Sequence, residues 1–289
     1  MERRRLLCLL GTAMLLPSEL GAARAILPRV TLLSASLELG GAWGGSDPGD
    51  VLAVIERMRG ACLADVTLLS NHQPEKLRID DHSSGGAPSI WLHTGEPGTG
   101  WIIVIVNTRD WCNLAYQFGH ELGHVLCNSW DTDAKPRPPC QWIEEALVEA
   151  FSLRGLGLLA DDWARAPPFR DDAAYSVYIR SYRETILRGY CKIARKEGAA
   201  AGLGVWFERH RAFVEGKGGL DAARGAVPAM LDLLEGDKAM VADMGALNRW
   251  PGRSGVPLHD YLGFWERSCA ELNAPGRLPM RLRQLLAGS

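Results

Sequence analysis

Apolar residues recur at helical spacing in the two stretches that also hold the chain's most unusual polar residues. Between Trp111 and Leu126, the positions Trp111, Leu114, Ala115, Phe118, Leu122, Val125 and Leu126 fall on one arc of a 3.6-residue helix. Asn113, Gln117, His120, His124 and, just beyond, Asn128 fall on the opposite arc, which is polar without carrying acids or basic chains. Gly119 and Gly123 line one flank, where another backbone can come close. The pattern predicts a helix with a packing side and a chemical side. The run Trp142–Phe151 reads as a second, largely apolar helix that nevertheless holds Glu144, Glu145 and Glu149. Carboxylates on so apolar a helix require partners, because an unpaired buried charge is strongly disfavoured.

Around these helices the patterning changes from mixed to helical. Val30–Leu39, Val66–Leu69, Lys76–Ile79 and Ile90–Leu92 read as strands, and Trp101–Val106, almost wholly apolar and β-branched, as the clearest and a buried one. Pro48–Arg59 has helical spacing. Asp131–Pro139, with two aspartates and three prolines, is a turn that returns the chain. Beyond Leu153, helices are predicted over Ala173–Tyr190, Ala199–Glu215, Leu220–Glu235, Lys238–Trp250 and Leu258–Leu272, parted by glycine or proline. The expected fold class is α+β: an α/β lobe over 26–130 ending in the histidine helix, then a mainly helical lobe over 131–289. His72, His82 and His93 sit in polar or glycine- and proline-rich stretches and read as surface-loop residues.

Composition adds a location. Arg3, Arg4 and Arg5, the apolar run Leu6–Leu16 and Ala23-Arg24-Ala25 have the order of a secretory signal, so residues 1–25 are expected to be removed, leaving Ile26 first and a secreted or periplasmic protein. The arginines weakly resemble a twin-arginine signal as well, and the pattern does not separate the routes. The segment carries four arginines and two glutamates, so its loss moves the formal charge from −2 to −4. No basic stripe marks a nucleic-acid partner, and no membrane span is expected after signal removal. The six remaining cysteines, Cys62, Cys112, Cys127, Cys140, Cys191 and Cys269, favour disulfides in an exported chain, with the pairing open.

The chemistry centres on His120-Glu121-Leu122-Gly123-His124. Four residues advance a helix by about 400°, so the two imidazoles point within roughly 40° of each other and can share one ion. Glu121 lies too far round to be a comfortable third ligand and close enough to serve a water beside the metal. Catalytic zinc sites commonly use three protein ligands, two histidines and a glutamate among them. With Trp142-Ile143-Glu144-Glu145-Ala146-Leu147-Val148-Glu149 downstream, the chain resembles a gluzincin-type zinc metallopeptidase. The second segment is similar to that family's Trp-x-x-Glu-Gly-x-x-Glu, with Ala146 in place of the common glycine. A metzincin would need glycine and histidine where Cys127 and Trp130 stand, and the Gly-Ala-Met-Glu-Asn signature of gluzincin aminopeptidases is absent.

The resemblance implies Zn2+ held by His120, His124 and Glu145, with Glu121 as general base, a peptide or protein substrate, and a sheet with an edge strand able to pair with it. Helix geometry places Glu149 on the face of Glu145, as an acceptor for one histidine's free N–H, and turns Glu144 about 100° away, with no expected role. The donor for the oxyanion in this family comes from the helical lobe; Tyr175, Tyr178, Tyr182, Tyr190 and His210 are open choices. Two other readings use the same residues: an exported zinc-binding or structural module without turnover, and a zinc hydrolase acting on a non-peptide amide such as cell-wall material.

Overall fold

In the computed structural model, which describes residues 32–64, 66, 72–82 and 85–287, a small sheet is followed by an array of helices, an α+β architecture. The strands are β1 (Ser36–Gly40), β2 (Lys76–Asp81), β3 (Ser89–Ile90) and β4 (Thr99–Val104), in the order β1-β2-β4-β3. β1, β2 and β4 are parallel, with Leu37 opposite Leu77 and Ile79 opposite Ile102. β3 is the antiparallel edge, with Ile90 opposite Ile102. The parallel pair β1/β2 needs a crossover, and helix α1 (Pro48–Cys62) lies on it. Asp47 starts α1 by accepting from the backbone N–H of Gly49 and Asp50, with Pro48 in the first turn. Val51, Val54, Ile55 and Met58 then form its buried stripe.

Helix α2 (Trp111–Leu126) follows β4 directly. Gln117 ties the two together: its side-chain amide accepts from Ile105 N at 2.7 Å and donates to Ile105 O at 2.8 Å, extending the strand's hydrogen bonding onto the helix. Every residue assigned to the packing arc of α2 is buried. Helix α3 (Gln141–Arg165) runs through the middle of the molecule and packs against α1, α2 and the later helices. It is buried almost all round, from Trp142, stacked on Phe207, to Trp163, which explains its weak amphipathic pattern. One continuous buried cluster, from Leu32 to Leu286, joins the sheet to the helical part.

The remaining helices are α4 (Ser176–Lys196), α5 (Leu203–Lys217), α6 (Gly219–Ala223), α7 (Val227–Gly236), α8 (Ala239–Met244), α9 (Leu258–Leu272) and α10 (Arg277–Ala287). The single helix expected over Leu220–Glu235 is divided, because Pro228 lacks an N–H and opens a new first turn in α7. That expected over Lys238–Trp250 stops at Met244, and Gly245–Arg253 becomes a loop docked on the end of α2. α10 was not among the sequence expectations; the buried Asp243 carboxylate accepts from Gly276 N at 2.7 Å and Leu278 N at 2.8 Å and fixes its start. Of the Val30–Leu39 strand, Val30 and Thr31 lie outside the described residues, residues 32–35 form a turn, and the strand runs from Ser36. Most of Val66–Leu69, and the whole signal-like segment 1–25, lie outside the described residues.

The expected disulfides do not form among the described residues. All six cysteines there are free thiols. Their surroundings differ: Cys112 donates to the Tyr175 hydroxyl, Cys140 to Val256 O and Cys269 to Asp243. Burial pushes the Cys62 and Cys140 thiols up to about 12, as befits inert core residues. No helix among the described residues is long and apolar enough to cross a membrane.

Candidate metal centre

The close approach of α2 and α3 assembles the centre. A Cβ on Gly119 would lie 2.5 Å from Met58 Cε and 2.9 Å from Ser152 Oγ, and one on Gly123 would lie 2.8 Å from Val148 Cβ. Only glycine permits this spacing. Because Gly119 faces Ser152 and Gly123 faces Val148, the helices run antiparallel, and successive turns of α2 meet earlier turns of α3.

His120, His124 and Glu145 come together with their ligand atoms within 4.8 Å of one another. Nε2 of His120 is 3.9 Å, and Nε2 of His124 3.8 Å, from the same Glu145 oxygen, Oε2. Tetrahedral zinc bonds of about 2.0–2.2 Å place donor atoms roughly 3.4 Å apart, so the two histidine–glutamate separations exceed that spacing by only a few tenths of an ångström. The donor chemistry, two imidazoles and one carboxylate with a side open to the cleft, fits zinc. Gln141 Nε2 holds the other Glu145 oxygen at 3.3 Å.

Both histidines are oriented from behind by buried carboxylates. His120 Nδ1 lies 2.8 Å from Glu149 Oε2, and His124 Nδ1 lies 2.7 Å from Glu144 Oε1. Each ring therefore spends its Nδ1–H on a carboxylate and turns Nε2 toward Glu145. Glu149 matches its expected supporting place. Glu144 corrects the expectation that it has no role: its rotation away from Glu145 on α3 aims it at His124, one turn further along the antiparallel α2. A helical wheel of α3 alone shows the angle but not what lies there.

Supporting residues complete both acceptors. The Tyr116 hydroxyl donates to Glu149 Oε1 at 2.5 Å, and Asn248 Nδ2 donates to Glu144 Oε2 at 2.7 Å. Neither appears in the sequence reading. Tyr116 lies one turn before His120, where periodicity suggests it; nothing in the sequence connects Asn248 to the centre.

Burial and pairing act against each other on these groups. For His124, burial disfavours the charged ring, but the bond to Glu144 and the nearby Glu145 outweigh it and push its pKa up to about 10. His120 moves the same way: burial opposes the proton and the Glu149 bond prevails. Burial would raise Glu144, yet His124 holds it below the ordinary carboxylate range. Glu121, 4% exposed, is raised by burial, with the two histidines pulling back.

The centre forms part of the lining of a cleft of about 490 Å³, together with Tyr116, Gln117, Glu121 and Glu149. Its walls are Ala87–Ile90 and Leu92 around the edge strand on one side, and Pro136 and Leu220 on another. Glu121 thus reaches the cleft beside the ligands. Four of the five open choices for an oxyanion donor have other surroundings. Tyr175 is beside Cys112, Tyr178 is exposed, Tyr182 donates to Asn113, and His210 bonds Glu197 O. Tyr190 is buried near Tyr116 and Glu149 and does not line the cleft. Tyr116 is the one tyrosine among the described residues that line the cleft. No protein-family model, curated protein or solved structure matches the chain.

Proposed function

We propose that this chain is an exported zinc-dependent metallopeptidase that hydrolyses peptide bonds with a water activated in the cleft. The observation that carries this reading is the pair of imidazole Nε2 atoms converging on Glu145 Oε2, each ring held from behind by a buried carboxylate, in the lining of a cleft. Zinc, when bound by His120, His124 and Glu145, supplies Lewis acidity and lowers the pKa of a coordinated water. The chain's own residues do the rest. Glu121 accepts the proton of the attacking water and returns it to the leaving amine, a task suited to a carboxylate in the cleft lining whose pKa burial raises above the ordinary carboxylate value. β3, the outermost strand beside the centre, offers backbone groups to an extended substrate.

A peptide-library digest tests the reading. Zinc-loaded protein is expected to release products, and Glu121→Gln to keep zinc while losing activity by about 10²–10⁴-fold, the range of a lost general base. Zinc-loaded protein that cleaves no peptide, or a Glu121→Gln variant as active as the native chain, overturns it. Cleavage of cell-wall amides instead of peptides would move the same centre to a different substrate.

A further inference from the structure

The loop Gly245–Arg253 lies more than a hundred residues from the histidine helix in sequence, yet it is built onto the back of the centre. Asn128, in left-handed conformation at φ 62° just past α2, donates to Gly245 O at 3.1 Å and Leu247 O at 2.7 Å. Arg253 donates to Asn128 O and Ser129 Oγ, pinning the loop's other end. Between these anchors Asn248, 2% exposed and itself at φ 57°, points its amide at Glu144.

The amide's orientation is dictated by its neighbours. Tyr261 O–H lies 3.2 Å from Asn248 Oδ1 and can donate to it, so the NH2 group faces the other way. It donates to Glu144 Oε2 at 2.7 Å and Ser129 Oγ at 3.2 Å. Glu144 in turn uses its other oxygen for His124 Nδ1. The result is a relay of fixed polarity, Tyr261 to Asn248 to Glu144, with Glu144 accepting from both Asn248 and His124. We propose that Asn248, oriented by Tyr261, is a positioning residue for the metal centre. It holds Glu144 in the one rotamer that keeps His124 Nε2 turned toward Glu145.

This inference rests on the metal reading above, and its test reads metal affinity rather than turnover. Zinc affinity is measured by competition with a chromophoric chelator for the native chain, Asn248→Asp, Tyr261→Phe, and the double variant Asn248→Asp/Glu144→Gln. Asn248→Asp keeps the shape, removes the donor and sets a second carboxylate against Glu144. It is expected to weaken zinc binding about 10–100-fold, as changes to a ligand's supporting partner do. The double variant restores complementarity with the polarity reversed: the introduced glutamine amide donates to the introduced aspartate, and its carbonyl still accepts from His124. It is expected to recover most of the loss, which a merely structural asparagine would not produce. Tyr261→Phe deletes one hydroxyl, leaves the ring packing in place, and is expected to weaken binding more mildly, so the inference stays testable if Asn248→Asp does not fold. The visible spectrum of the cobalt-loaded protein should shift in the single variants and return in the double one. Native affinity in both folded single variants, or no recovery in a folded double variant, overturns the positioning role while leaving the metal reading intact. A native chain that binds no zinc overturns both.

Discussion

Single residues at this centre divide by which atom they hold. Glu145 faces both Nε2 atoms, Glu149 and Glu144 hold the two Nδ1 atoms, and Glu121 faces the cleft beside them. The three glutamates of α3 should therefore separate on metal analysis. Glu145→Ala is expected to lose zinc outright, since two histidines alone leave an incomplete ligand set. Glu149→Ala and Glu144→Ala are each expected to weaken zinc by about 10–100-fold, because each frees one imidazole to rotate and to change tautomer. Chelator competition on the purified variants checks this; native zinc affinity in Glu144→Ala would show that the His124 contact is dispensable.

At the scale of elements, the centre depends on how closely α2 meets α3. Gly123→Ala places a methyl where Val148 Cβ stands 2.8 Å away, so the helices must part. The expected cost is about 1–3 kcal/mol of overpacking, against about 1 kcal/mol gained from alanine's helix propensity. Gly189 in α4 is the contrast: it is exposed and has nothing within 4 Å of its would-be Cβ. Gly189→Ala is expected to stabilise by about 0.4–1 kcal/mol through propensity alone. Urea unfolding of the two variants gives both signs, and the helix-parting argument fails if they shift stability alike. Gly123→Ala should also loosen zinc, since moving α3 carries all three glutamates with it.

For the whole molecule, the ligands sit on the two helices at the centre of the continuous core, so proton and metal binding are linked to global stability. In the metal-free protein His124 is raised from 6.5 to about 10, which means the folded state holds this proton more tightly than the unfolded chain. That contribution is fully present below about pH 6.5 and is lost as pH rises through about 10. Metal-free protein is therefore expected to lose stability across this window. Zinc replaces the proton and should act oppositely, adding about 2.7 kcal/mol at a free concentration 100 times its Kd and binding more tightly as pH rises. Urea unfolding from pH 6.5 to 10, with and without zinc, measures both; a metal-free stability that rises over the range would contradict the paired state of His124.

Local periodicity was enough for much of this protein. The packing arc of α2, the run of β4, the close-contact flank of Gly119 and Gly123, and the convergence of His120 with His124 all follow from residues within a few turns of one another. The α+β class followed from the change in patterning along the chain. The structure alone paired Glu144 with His124, because that contact depends on the antiparallel offset between two helices, and brought Asn248 and Tyr261 to the centre, because no local rule links residues more than a hundred positions apart. It also left the cysteines as separate thiols: an even count reports how many could pair, whereas pairing requires that their Cβ atoms meet in space.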